Sequence, residues 1–232
     1  MLKDKPVRKP GQDLRTLPTF TIPEAAEALA INRRTMFSWY GGNDPVLKAS
    51  GRLGSIRLLS YRDLEEAYRL HLLRQKYRFP LQFLRQAMRN ARKMFHSEHP
   101  LQRVDAVKEC LRDLVYEKPK RGNNPRTITS LGRAPGQQMV KEVADLFKER
   151  IDPDKAIYPW RFASKDKSRP VSMNPRIMSG RLVVAGTRIP VTALREDKRS
   201  GAKIEEIARN YGLDRDIVQK ALTHIDIRQK AA

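Results

Sequence analysis

Apolar positions in the first hundred residues change their period twice, and each change predicts a new element. In "PTFTIPEAAEALAINRRTMFSWY", Ala25, Ala26, Ala28 and Leu29 fall at helical spacing behind Thr21, a capping residue type. Pro23 and Glu24 occupy the first turn, where a missing N–H is harmless and a negative charge is favoured. The short "AIN" turn then places Asn32 as N-cap of a second helix opening at Arg33, a helix-turn-helix layout. Taken alone, the pair also fits an ordinary amphipathic hairpin of helices. Arg33, Arg34, Thr35 and Ser38 lie on the early turns of the second helix. Met36, Phe37, Trp39 and Tyr40 cannot all face outward, so several of them must pack. The period then drops: "VLKASGRLGSIRLLS" predicts two short strands, around 46–48 and 56–59, joined by a basic glycine-containing loop. Helical spacing returns behind Ser60, with Asp63 in a capping-box-like position and a stripe of Leu64, Ala67, Tyr68, His71 and Leu72. A further helix starts at Pro80.

Periodicity is weaker in the middle of the chain and strong again at its end. Residues 101–117 carry a one-sided stripe that predicts a helix, 126–130 a brief strand within a Gly/Pro/Asn-rich loop, and 137–152 a helix. In that last helix Met139, Val140, Val143, Leu146, Phe147 and Ile151 point inward. "AIYPWRF" alternates as a strand does. From 182 onward the pattern sharpens: a strand through Leu182, Val183 and Val184, a turn at Gly186, a helix from Pro190 to Gly201, a second ended by Gly212, and a third capped by Asp214. Ile204, Ile207, Ala208, Tyr211, Leu213, Ile217, Val218, Ala221 and Leu222 form the expected shared core of the last two.

The expected fold class is therefore mainly α with small β elements. It comprises a winged helix-turn-helix and a C-terminal three-helix, helix-turn-helix-like domain with a short sheet. The expected organisation is a basic flexible arm over 1–17, the winged domain over 18–95, a helical middle over 96–170 with short strands, and the C-terminal domain over 171–228.

Charge turns this architecture toward a partner. Lysine and arginine number 47 against 26 acidic residues, a net +21, distributed as +11 in residues 1–96 and +5 in each of 97–170 and 171–232. Such an excess points to a polyanion, because neutralising phosphates releases counterions. Membrane is not the expected partner: no run approaches the ~20 apolar residues of a span. The single cysteine, Cys110, rules out an intrachain disulfide and fits a reducing, cytoplasmic setting. The arm, "MLKDKPVRKPGQDLR", is either a solvated disordered tail or a basic arm tracking DNA phosphates or a minor groove.

Little points to catalysis. The four histidines, at 71, 96, 99 and 224, lack ligand or triad spacing, with His71 a packing residue and His96 and His99 solvated. No P-loop spacing is present. Asp152 and Asp154 lack a third metal ligand and read as an acidic helix end. No enzyme activity, cofactor or metal is expected.

The order helix-turn-helix, wing, "IRLLSYRDLEEAYRLHLLR" resembles the N-terminal DNA-binding domain of the MerR family over residues 19–94. Thr35, Arg57 and Asp63-Leu64 carry the likeness. It implies that Arg57 and the wing residue Arg52 approach phosphates beside a major-groove helix, with Arg33, Arg34, Thr35, Ser38 and Lys48 completing the DNA-binding set. Phe37 stands where that family often has a phosphate-contacting arginine, which leaves the role to Arg33 or Arg34. The end of the chain, with "GTRIPV" at 186–191, Gly201–Ile207 and Tyr211–Leu222, closely resembles a small helical domain of unknown function found in many bacterial antitoxins. Together the two ends look like an antitoxin of the VapB kind. That resemblance implies operator DNA and a PIN-domain ribonuclease toxin as partners, autorepression, and a homodimer or toxin–antitoxin hetero-oligomer. A stand-alone transcription regulator that uses the C-terminal domain for oligomerisation is the alternative. Arg188, in the corner, either pairs an acid within the domain or reaches a partner.

Overall fold

The computed structural model describes residues 13–103, 135–152, 156–159 and 168–226. The expected helix over 101–117 beyond Arg103, Cys110, the strand at 126–130, Asp154 and the first twelve residues of the arm lie outside them. The architecture is mainly helical with two small antiparallel sheets. Two compact units divide the chain: Met1–Phe37, Ala49–Leu64 and Arg150–Ala232 form one, and Ser38–Lys48 with Glu65–Glu149 the other. Among the described residues no helix is long and apolar enough to cross a membrane.

The first unit opens on a 3-10 turn (Leu14–Thr16), followed by a strand, β1 (Phe20–Thr21), that runs directly into α1 (Ile22–Ala28). Thr21 and Glu24 close a capping box: the Thr21 N–H donates to Glu24 Oε2 at 2.8 Å, and the Glu24 N–H to Thr21 Oγ1 at 3.4 Å. The helix ends with Ala30 in the left-handed region (φ 51°), where the Ile31 N–H reaches back to Ala26 O at 3.0 Å. That bond pattern turns a chain sharply after a helix and normally selects glycine. Asn32 then caps α2 (Arg33–Tyr40), its Oδ1 accepting the Arg34 N–H at 2.9 Å.

The wing is a hairpin of β2 (Gly51–Leu53) and β3 (Ile56–Leu59), and β3 also pairs β1, giving the order β1-β3-β2. Gly54 takes φ +60° at the first of the two turn positions, where a turn of the II′ kind needs glycine. The first strand lies five residues later than the expected 46–48. Val46 and Leu47 are apolar but fully buried outside any strand, and the Leu47 N–H caps α2 by donating to Trp39 O at 3.0 Å. Short apolar runs do not distinguish a strand from a packed loop.

The C-terminal part of the same unit pairs β4 (Val171–Met173) with β5 (Leu182–Val184) and continues into α6 (Val191–Arg199), α7 (Ile204–Tyr211) and α8 (Arg215–Asp226). For continuity, α3 (Tyr61–Tyr77), α4 (Leu81–Phe95) and α5 (Pro135–Arg150) precede them in the chain. The helix ends match their sequence signals: Gly212 is left-handed (φ 63°), and Asp214 Oδ1 accepts the Asp216 N–H at 2.7 Å. Val218, Ala221, Leu222 and Ile225 form the buried stripe of α8. Ile217, expected in the core, is 36% exposed, because it precedes Val218 and so stands about 100° round the helix from that stripe.

Three links join the two ends of the chain within this unit. The Tyr61 hydroxyl donates to Met173 O at 2.7 Å, Arg195 pairs with Glu27, and His224 Nε2 lies 3.0 Å from Ala28 O. A carbonyl accepts only, so the Nε2 of the buried His224 is the donor in this contact. Gly180 (φ +81°) lies so close that a Cβ there would stand 2.8 Å from the Tyr61 ring.

In the second unit, Trp39, Tyr40, Tyr68, Leu70, Leu73, Leu84, Met88 and Val143 form the core. His71 stands half-buried with its ring centre 6.5 Å from Trp39 and 6.4 Å from Tyr68, the packing role expected of it. Of the inward face expected for α5, Val143, Phe147 and Ile151 are buried and Leu146 is half-buried; Met139 and Val140 lie outside the described side chains. Glu65 is buried against Arg69 at 2.7 Å. Glu66 is also buried, accepting the Leu101 N–H at 2.9 Å.

Candidate nucleic-acid interface

The face that α2 leaves to solvent follows from which of its residues pack. Met36, Trp39 and Tyr40 are buried, so the helix period turns Arg33, Arg34, Phe37 and Ser38 outward, with Thr35 half-exposed at the edge. Arg33 and Arg34 therefore sit on the first turn beyond the Asn32 cap, the end of a helix that projects farthest when it enters a groove. Neither guanidinium has an ion-pair or hydrogen-bond partner among the described residues.

The wing presents a second pair. Arg52 and Arg57 are direct cross-strand partners, and strand alternation places them on one face while Leu53 and Ile56 share the other. Two like charges directly opposite each other are destabilising. Both are again without an acid partner among the described residues. Four arginines on two adjacent sequence elements of one unit thus stand without an acid partner among the described residues. Other arginines divide. Arg69, Arg89, Arg169, Arg195 and Arg215 are matched to carboxylates, while Arg74, Arg78, Arg181 and Arg188 also lack an acid partner among the described residues. It is the clustering on α2 and the wing that sets these four apart.

Lys48 and Ser38 fall in the second unit. Lys48 precedes the wing rather than forming its first strand, and its ammonium pairs with Glu98 at 3.0 Å. The segment around it is tied down by Arg89 to Asp44 and by Arg92 to the Val46 carbonyl. Ser38 stays on the exposed side of α2.

Asp63 positions the wing, a role its sequence signal discloses only in part. The capping relation with Ser60 is present, with the Ser60 N–H donating to Asp63 Oδ2 at 2.7 Å. The same oxygen also accepts the Ser50 N–H at 3.0 Å, while the Ser50 and Ser60 hydroxyls meet at 3.0 Å. One buried carboxylate therefore clamps the residue before β2 to the residue after β3. Gly51 completes the junction: a Cβ there would stand 2.7 Å from the Pro18 ring. Replacing Asp63 by alanine is expected to lower stability by about 2 kcal/mol and to open the wing. Asn, which keeps one acceptor oxygen, recovers most of the loss. Thermal unfolding together with limited proteolysis at Arg52 and Arg57 checks this, and an Ala variant as stable and as resistant as wild type refutes it.

Upstream of β1, Asp13 is held by two arginines. The hydrogen bonds from the Arg15 side chain are the main reason its carboxyl is held down at about 2, and Arg62 adds a 3.2 Å contact. Asp152, at the acidic helix end, is committed to Arg169 at 3.3 Å and to the Tyr158 hydroxyl at 2.7 Å.

The "GTRIPV" corner is a backbone device. Thr187 Oγ1 donates to Val184 O at 2.9 Å and accepts the Ile189 N–H at 3.0 Å, while Gly186 takes φ +77° in open space. Arg188 is exposed and pairs with no acid among the described residues.

Comparison with known proteins shows a similar fold and a family-model match over part of the chain. No curated protein matches it. The crystal structure of Rv2018 from Mycobacterium tuberculosis is similar in fold. The likeness has a TM-score of 0.61 at 22% sequence identity and covers 88% of this chain and 97% of that one. Residues 171–224, which hold the β4–β5 hairpin, the corner and the three terminal helices, match the family described as a protein of unknown function, DUF433.

Proposed function

We propose that this chain is a DNA-binding antitoxin that represses its own operon and neutralises a PIN-domain ribonuclease toxin. It acts in the cytoplasm as a homodimer or in a hetero-oligomer with that toxin. The observation that carries the DNA-binding part is the set of four arginines, Arg33, Arg34, Arg52 and Arg57, exposed or half-exposed and without acid partners among the described residues. Leaving four cations unmatched on two elements is unfavourable for an isolated protein and favourable against phosphates. In this reading the start of α2 enters the major groove, Thr35 contacts its edge, and the wing arginines track the backbone. A dimer doubles these contacts and sets two half-sites about one helical turn apart. The toxin part rests on the resemblance of the two chain ends to VapB-type antitoxins.

A stand-alone regulator is the second reading. It is favoured by the net positive charge of residues 171–232, since the toxin-binding segments of some antitoxins are acidic. Purification of the full chain from its native host, with mass spectrometry of what elutes, separates the two. A stoichiometric small PIN-type nuclease supports the antitoxin. A protein that elutes alone yet shifts the DNA upstream of its own gene is a free-standing repressor. A chain that neither captures a nuclease nor binds that DNA refutes both.

A further inference from the structure

We infer that Phe37 is a base-reading residue that packs on the C5-methyl group of a thymine in the major groove, an assignment that rests on the DNA-binding reading above. Phe37 is 49% exposed on α2, at i+4 from Arg33 and i+3 from Arg34, so its ring shares their face. Large exposed apolar side chains are few among the described residues: Leu14, Phe37, Leu53, Ile56, Met94 and Ile217. Three of the six stand on α2 and the wing, the elements that carry the uncompensated arginines.

The charge around the ring selects its occupant. A second copy of this chain would bring its own arginines against Arg33 and Arg34, and like charges brought together oppose that contact. A polyanion with an apolar group at its surface satisfies both features at once. The major groove offers that combination, because thymine alone among the four bases projects a methyl group there. Arginines at the first turn would hold phosphates or guanine edges, while the phenyl ring one turn later covers the methyl. Phe37 thus contributes specificity, and the arginines contribute affinity.

The test begins with duplex sites selected by the full-length protein from a random-sequence library. Affinities are then measured by fluorescence anisotropy, replacing each thymine of the selected site singly by deoxyuridine, which removes only the methyl. For wild type, one thymine per half-site is expected to show about a fourfold loss, the factor that burial of one methyl-sized group yields. Phe37→Ala is expected to bind more weakly and to lose that dependence. Phe37→Leu, which remains apolar, retains part of it and guards against a folding defect in the alanine variant. Uniform insensitivity of wild type to uracil overturns the assignment while leaving DNA binding intact, as does methyl dependence that survives in Phe37→Ala. A Phe37→Ala protein that changes oligomeric state, on a site that wild type reads without methyl dependence, places the ring against a second copy and overturns it too. If no site is enriched at all, the DNA-binding reading falls and Phe37 falls with it.

Discussion

On the proposed DNA-binding role, Arg33→Ala combined with Arg34→Ala is expected to weaken binding to the DNA upstream of the gene by roughly ten- to a hundredfold, with no loss of fold. Both side chains are exposed and without partners among the described residues, and alanine is the best helix former, so α2 itself is retained. The salt dependence identifies what the two side chains touch. Each phosphate contact contributes about 0.9 to the slope of log K against log salt, so removing two flattens the plot by roughly 1.8 per bound subunit. If instead both arginines read guanine edges, affinity falls for the preferred sequence while the slope changes little. Titrations from low to physiological salt, with circular dichroism of the variant, distinguish these outcomes. Unchanged affinity and slope would remove α2 as the recognition helix.

The largest stability effect is expected at Glu66. Its carboxyl is completely buried, Oε1 accepts the Leu101 N–H at 2.9 Å, and Oε2 has no hydrogen-bond partner among the described residues. Burial pushes the group up to about 8 from its ordinary 4.5, against the Leu101 N–H and the charges of Arg69 and Arg92, which pull it down. The folded chain therefore keeps this proton where the unfolded chain has released it. Stability from Glu66 is complete below about 4.5 and is lost as pH rises through about 8. Over that window the loss is on the order of 5 kcal/mol. Glu66→Gln leaves an acceptor for the Leu101 N–H but cannot ionise. The variant is expected to gain stability over wild type steadily from pH 5 to 8. Urea unfolding of both proteins at several pH values checks this, and a difference that stays constant with pH contradicts it.

How much of this was legible beforehand depends on how far each cause reaches along the chain. The caps at Thr21, Asn32, Ser60 and Asp214 act over two or three residues, and all four are in place. The fold class and the three C-terminal helices followed from periodicity, which is also local. The wing was legible as a hairpin, but its first strand was placed too early. Val46 and Leu47 have a strand's composition, and only their burial in the second unit removes them from the sheet. Ile217 shows the same limit at the scale of one residue: its type suits a core, while its angle round α8 puts it outside.

Sequence by itself determined the caps that open the helices at Thr21, Asn32, Ser60 and Asp214, and that basic residues dominate, because these depend on neighbours in the chain and on composition; which side of α2 packs it left open. Tertiary structure alone decided which charges remain unmatched. Arg33, Arg34, Arg52 and Arg57 look no different in sequence from Arg195, which finds Glu27 across 168 residues, or from Lys48, which finds Glu98. It also decided that Asp63 grips both ends of the wing and that Tyr61 reaches Met173. A fully buried Glu66 was equally invisible, since burial is set by elements distant in sequence. Partners for hydrogen bonds and ion pairs are fixed only when the chain closes on itself, so the arginines of the candidate interface that find no acid among the described residues appear only in the folded molecule.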